Sequence, residues 1–136
     1  AIIMTPQLSY FVGESLLSSA MILGARGSYS SLVCTNPEFM LAMYDHAVNG
    51  RWVEAINMQK IANKFCSDVQ SFIRNRGEGT IDPVFDKGLA VASGCVAGSQ
   101  RTRLPYIGWS DETVACLREW LQQHYSQFVF PSDKHR

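Results

Sequence analysis

The chain has 136 residues, 46% of them hydrophobic, which is enough for one domain that buries about 68% of the surface of its unfolded chain. Its 12 basic residues balance its 12 acidic residues and form no stripe interleaved with aromatic side chains, which argues against nucleic acid and anionic membranes as partners. No apolar run reaches about 18 residues, so the sequence predicts a soluble, cytoplasmic, unprocessed protein. A start without Met indicates that upstream residues are missing.

The cysteines and histidines give no disulfide or metal-binding pattern. The four cysteines are far apart and contain no C-x-x-C pair, which is typical of reduced thiols in a cytosolic protein; they are Cys34, Cys66, Cys95 and Cys116. A secreted protein with two disulfides stays open as an alternative, because the number is even. His46 has no second ligand one helical turn away, and the other two histidines lie near the C-terminus, so no metal site is expected.

The first predicted elements are two strands separated by a helix. Leu8–Val12 is short, aromatic and β-branched and ends at Gly13, which is typical of a strand. Ser15–Leu23 carries apolar residues at helical spacing, and Gly24–Val33 predicts a second strand of the buried type. This order and spacing predict parallel strands with a right-handed crossover.

The second strand carries a run of hydroxyl side chains. Its period of two places Ser28 and Ser30 on one face and Tyr29 on the other. A single strand cannot satisfy its own backbone hydrogen bonds. Its partners must therefore come from elsewhere in the chain or from another chain.

The rest of the chain is predicted to be helical. Asn36-Pro37 begins a helix that ends at Asn49-Gly50, and a longer helix runs from near Trp52 to before Gly77. Two strands followed mainly by helices make an incomplete fold, because a parallel sheet needs more strands and cover on both faces. The chain is therefore predicted to be the end of something larger.

Capping signals mark the last two predicted helices. Asp82-Pro83 opens the helix Val84–Ser93, and a loop follows at Gly98–Tyr106. Ser110 caps the final helix, and the charged tail from Pro131 is expected to fray.

Several short motifs occur here in a fixed order and spacing over residues 10–125. They are Gly13 followed by Glu14 and Leu16-Leu17, then Leu23-Gly24-Ala25-x-Gly27, Asn36-Pro37, Gly50-Arg51-Trp52, Asp82-Pro83-x-x-x-Lys87 and Arg103-Leu104-Pro105. In this order they resemble the C-terminal part of the dihydrodipicolinate synthase and N-acetylneuraminate lyase family.

The resemblance implies an α/β fold, the C-terminal portion of a (β/α)₈ TIM barrel followed by a helical extension. Tyr10–Val12 would be strand seven and Gly27–Leu32 strand eight, whereas a whole barrel needs about 250 residues. Residues 1–50 would hold the last two strands and helices of the barrel and residues 51–136 the extension, as a single partial domain. The family also implies a homo-oligomer, a dimer or a tetramer.

The family's chemistry is implied for the whole barrel and not for this chain alone. Its members are class I lyases, in which a lysine on strand six forms a Schiff base with a 2-oxo acid and a tyrosine on strand five moves protons. Both positions precede the first strand here, whereas the four lysines all follow strand eight; they are Lys60, Lys64, Lys87 and Lys134. No catalytic residue, cofactor or metal is therefore expected, and Lys87 is expected to pair with a carboxylate or a helix end.

The substrate-binding residues implied by the resemblance are Gly13, Ser28, Tyr29 and Ser30, at the mouth of the barrel where the 2-oxo acid lies. The alternatives are that Tyr29 fills the sheet core and that neighbouring backbone satisfies the two serine hydroxyls. The Tyr-Ser-Ser run and the delayed Pro37 are more similar to the sugar-acid dehydratase branch, which handles polyhydroxylated substrates.

Two other interpretations stay open. A non-catalytic half-barrel can serve as an oligomerisation or interaction module whose strand edge pairs with a partner. A helical protein with a β-ribbon, unrelated to the family, is the third interpretation.

Overall fold

The computed structural model describes residues 7–130, so the tail from Pro131 lies outside the described residues. In chain order the elements are β1 (Phe11–Gly13), α1 (Leu17–Ile22), β2 (Gly27–Tyr29), α2 (Pro37–Val48), α3 (Trp52–Arg74), α4 (Val84–Ser93) and α5 (Asp111–His124). Short 3₁₀ turns lie at Glu14–Leu16, Leu32–Cys34 and Ser126–Phe128. None of the described helices combines the length and apolar character that crossing a membrane requires.

The strands β1 and β2 pair in parallel. Phe11 lies opposite Gly27, and Gly13 lies opposite Tyr29. The predicted order of strand, helix and strand and the parallel pairing are confirmed, although β1 begins at Phe11 and not at the predicted Leu8. Within residues 7–130 the sheet has two strands.

The second strand is shorter than predicted. Of the expected Gly24–Val33, β2 takes in Gly27–Tyr29, and Leu32–Cys34 forms a 3₁₀ turn. The hydroxyl of Ser30 accepts the N–H of Leu32 at 3.1 Å. Such a local bond turns the chain and competes with a continued strand.

The helix boundaries follow the local signals in the sequence. α2 begins at Pro37, and the chain leaves it through Gly50 at φ +70°. Gly77 follows α3 at φ +74°, a left-handed conformation that strains residues with a Cβ. The bounds predicted for α4, Val84–Ser93, are confirmed.

The described residues form two compact units, residues 7–33 with Pro37–Lys64 and Cys34–Asn36 with residues 65–130. The division into residues 1–50 and 51–136 stays a prediction. The buried apolar side chains of the first unit include Leu17, Leu32, Met40, Met43, Ala47, Ala55 and Ala62. Those of the second include Phe65, Val69, Ile73, Leu89, Leu117, Leu121 and Phe128.

Aromatic packing organises one part of the second unit. The ring of Phe65 stacks on Phe128 at a centroid distance of 4.3 Å and meets Tyr125 edge-on at 5.1 Å. The hydroxyl of Tyr125 donates a hydrogen bond to the carboxylate of Asp68. These contacts hold the segment after α5 on the C-terminal half of α3.

The four cysteines all lie within residues 7–130, and no disulfide joins any two of them.

A buried tryptophan packs against α4 and bonds to the segment that precedes it. Trp109 is 2% exposed, and its indole N–H donates to the carbonyl of Gly79 at 2.7 Å. A Cβ on Gly88 of α4 would lie 2.2 Å from a ring atom of Trp109. Glycine at this position therefore lets the helix backbone contact the indole ring.

We expect Gly88→Ala to lower the free energy of unfolding by about 2 kcal/mol. Overpacking against Trp109 costs about 3 kcal/mol, which exceeds the roughly 1 kcal/mol that alanine gains over glycine in a helix. Urea denaturation followed by circular dichroism measures the change. The control is Gly98→Ala, where a Cβ meets nothing within 4 Å. A midpoint for Gly88→Ala at or above that of the wild type would contradict the packing.

Ser110 is the N-cap of α5, as predicted, and its hydroxyl accepts the N–H of Thr113 at 3.1 Å. The carboxylate of Glu78 accepts the N–H of Ser110 at 2.8 Å. Partial burial raises the pKa of Glu78, but the hydrogen bonds from Ser110 and Thr113 lower it by more, so the pKa lies below its usual value. The carboxylate is thus stabilised beside the N-terminus of α5.

The contribution of Glu78 to stability is expected to disappear in acid. A carboxyl whose pKa is lower in the folded state stabilises the fold above its unfolded pKa, and this stability is lost as the pH falls through the folded pKa. We expect the wild type to be more stable than Glu78→Gln at neutral pH, and the difference to shrink below the ordinary value of 4.5. Urea denaturation across this range measures it, with Glu54→Gln on the exposed face of α3 as the control. A constant difference between wild type and Glu78→Gln would contradict this linkage.

Candidate functional site

The carboxyl ends of β1 and β2 lie side by side. Gly13 ends β1 opposite Tyr29, which ends β2, and Ser30 follows directly. Active sites of parallel α/β folds lie at the carboxyl ends of the strands. The structure therefore brings three of the four predicted site residues to one edge of the sheet, and Ser28 lies one position earlier on β2.

Ser28 and Ser30 line a groove of about 430 Å³ in the first unit. The strand side of the lining includes Arg26, Ser28 and Ser30, and the α2 side includes Met40, Leu41 and Tyr44. The lining joins apolar side chains to hydroxyl groups and one guanidinium. Such a mixture suits a small ligand with a polar or anionic end.

The alternative that neighbouring backbone satisfies the serine hydroxyls holds in part for Ser30. Its hydroxyl accepts the backbone N–H of Leu32, so neighbouring backbone does occupy an acceptor position. A serine hydroxyl also carries one donor proton and a second lone pair. The bond to Leu32 fixes the position of the oxygen atom and is compatible with a further hydrogen bond to a ligand.

Tyr29 does not fill a core in this structure, and the prediction of a buried-type strand is wrong at this residue. Its side chain is 76% exposed, and its ring contacts that of Phe11 at a centroid distance of 5.8 Å. Paired residues of parallel strands share a face, so Tyr29 lies on the same face as Phe11 and Gly13. Phe11 is itself 52% exposed, so this face is open to solvent in the described chain.

Glu14 joins the two strand ends, a role that the sequence did not reveal. Its carboxylate accepts the N–H of Ser31 at 2.9 Å, which connects the turn after β1 to the loop after β2. The sequence suggested only an acidic residue near a helix N-terminus. The usable signal was its position directly after the glycine that ends β1.

α3 holds the turn that follows β1. The Gln59 side chain donates to the carbonyl of Glu14 at 2.6 Å and accepts the N–H of Ser18 at 3.1 Å. Asn63, one turn along α3, accepts from Gln59 at 3.0 Å and donates to the carbonyl of Ser15 at 3.2 Å. Gln59 is only 8% exposed. A buried amide with hydrogen-bond partners at both ends therefore holds the turn that follows β1.

The described lysines lie on helices that follow β2. Lys60 and Lys64 are on α3, Lys87 is on α4, and Lys134 lies outside the described residues. The ammonium group of Lys87 donates to the carbonyl of Arg101, a loop partner in place of the expected carboxylate or helix end. Residues 7–130 contain no group of three His, Cys, Asp or Glu side chains that can hold a metal ion.

No protein-family model matches the chain, and no curated protein matches it in sequence. Among solved structures, the chain is similar to the crystal structure of dihydrodipicolinate synthase from Aquifex aeolicus, with a TM-score of 0.63 and 22% sequence identity. The match covers 88% of this chain and 37% of that protein, so the chain spans little more than a third of its length. The structure thus confirms the predicted fold class in its coarse form: this chain has the fold of part of a dihydrodipicolinate synthase.

Proposed function

We propose that these residues are part of a Schiff-base-forming lyase that acts on pyruvate or a 2-oxo sugar acid. The observation that carries the proposal is the parallel pairing of β1 and β2, with Gly13 and Tyr29 opposite each other at the carboxyl edge. That pairing occurs in a chain with the fold of part of dihydrodipicolinate synthase. The carboxyl edge is where a barrel of this kind binds its substrate.

The residues at this edge offer groups for binding a 2-oxo acid. Ser28 and Ser30 offer hydroxyl groups that donate to carboxylate or keto oxygens. A Cβ on Gly13 would meet nothing within 4 Å, so a ligand can approach the backbone there. Tyr29 lies beside Gly13 on the opposite face of β2 from Ser28, so its ring is placed to contact a ligand that reaches around the strand end from that side. Several hydroxyls favour a polyhydroxylated substrate, as in the sugar-acid dehydratase branch.

The nucleophile in this proposal belongs to the strands that precede β1 in the barrel. A Schiff-base lysine must be neutral, which requires a desolvated site or a neighbouring cation. Lys60 and Lys64 are exposed on α3, and the ammonium of Lys87 is bonded to a loop carbonyl. These three groups are therefore poor candidates, and the chain supplies binding groups.

Borohydride trapping tests this function. We expect a polypeptide that includes the upstream strands to form a reduced pyruvate adduct on one lysine before β1, detected by mass spectrometry. The 136-residue chain alone is expected to form none, and the longer polypeptide treated without pyruvate is the control. Absence of an adduct on the longer polypeptide would overturn the lyase proposal. An adduct on Lys60, Lys64 or Lys87 would overturn the assignment of the nucleophile.

A second function, a non-catalytic oligomerisation module, is favoured by one observation. Several large apolar side chains next to the strands are exposed, among them Phe11 (52%), Leu16 (57%) and Val33 (46%). An exposed apolar surface beside a short sheet favours a covering partner. A homo-oligomer would provide that cover with identical copies.

Light scattering on the purified 136-residue chain separates the two functions. An interaction module is expected to give a single dimer or tetramer, because the strand edges close between copies. A portion of a lyase barrel is expected to give a broad distribution of aggregates, since its apolar surface has no specific partner. Phe11→Ser is the matched variant and is expected to reduce association in either case. One defined oligomer without aggregation would favour the module over the lyase.

A further inference from the structure

A chain of hydrogen bonds leads from α3 to both strand ends. Gln59 donates to the carbonyl of Glu14, and the carboxylate of the same Glu14 accepts the N–H of Ser31. Ser31 follows Ser30 in the loop after β2. The path thus starts at a buried amide on a helix, passes through the turn after β1 and ends beside a predicted site residue.

We propose that Gln59 is a positioning residue for the site at the carboxyl ends of β1 and β2, and that it acts through Glu14. This inference rests on the proposed function for the identity of the ligand, a 2-oxo acid. In this role Gln59 acts on the turn after β1 and not on β1 or β2 themselves. It fixes the backbone of Glu14, and the carboxylate of Glu14 then holds the loop that carries Ser30.

The burial of Gln59 supports this role. An amide that is 8% exposed has few alternative partners in water, and its two ends meet the carbonyl of Glu14 and the N–H of Ser18. Removing one partner of a buried hydrogen bond costs about 1–3 kcal/mol, so the turn is held firmly. A second bonded contact, from Asn63 to the carbonyl of Ser15, limits rotation of the same turn.

The carboxylate of Glu14 can hold Ser31 only while its own backbone stays in place. Gln59 and Ser31 are linked by two hydrogen bonds in series through Glu14. Groups that bind a ligand gain from being held in position before the ligand arrives. A purely structural Gln59 would secure α1 and the turn after β1 without affecting Ser31.

Hydrogen exchange of the Ser31 amide, measured by NMR on the polypeptide that includes the upstream strands, tests the link. We expect Gln59→Leu to reduce protection of this amide by about tenfold, equivalent to about 1.4 kcal/mol. The control is Gln70→Leu on the same helix, where the side-chain oxygen accepts a hydrogen bond from Arg74 at the surface. It is expected to leave protection of Ser31 unchanged within about twofold.

Three further variants keep the test informative if Gln59→Leu fails to fold. Gln59→Glu retains an acceptor for Ser18 and loses the donor to Glu14, so protection of Ser31 should fall while that of Ser18 persists. Glu14→Gln retains an acceptor for Ser31 and should keep most of its protection, whereas Glu14→Leu should lose it. Combining Gln59→Leu with Glu14→Leu should add nothing, because both act on one path.

Protection of Ser31 that is unchanged in Gln59→Leu and in Gln59→Glu would overturn the proposal and leave Gln59 a structural residue.

Pyruvate is the probe for the ligand, titrated into the polypeptide that includes the upstream strands. We expect Gln59→Leu to raise the dissociation constant about tenfold and Gln70→Leu to leave it unchanged. Equal binding by wild type and Gln59→Leu would also overturn the positioning role. Failure of pyruvate to bind the wild type would contradict the proposed function, and the exchange result would then decide the link between Gln59 and Ser31.

Discussion

The parallel pairing of β1 with β2 is the constraint on which the rest of the first unit depends. Parallel neighbours cannot be joined by a tight turn, so the chain must cross over, and α1 makes that connection. The crossover brings both carboxyl ends to one edge. Because Gly13 lies opposite Tyr29, the residues that follow the two strands become neighbours, and the carboxylate of Glu14 can reach the N–H of Ser31.

The same pairing also explains why the sheet is exposed. A sheet buries apolar side chains only when further strands or a second layer cover its faces. Phe11 and Tyr29 share a face on which each contacts the ring of the other and both remain more than half exposed. The match to dihydrodipicolinate synthase covers 37% of that chain, so that structure contains further elements beyond the matching part.

Local signals in the sequence predicted the helices, whereas the extent and burial of the strands depended on distant partners. Pro37 and Ser110 mark helix starts and Gly50 a helix end through chemistry confined to a few residues, so their positions could be read directly. The end of β2 depends on a hydroxyl bond of Ser30 that competes with strand pairing. The burial of Tyr29 depends on layers that its own sequence does not specify.

The site was predictable only in part for the same reason. Period-two spacing placed Ser28 and Ser30 together, because that relation is local to one strand. The role of Gln59 could not be predicted in this way, since 45 residues separate it from Glu14. In the sequence it is one of several polar residues on α3. Only the fold makes that amide buried and bonded at both ends. A site built on short strands is therefore specified as much by the helix behind it as by the residues that face the ligand.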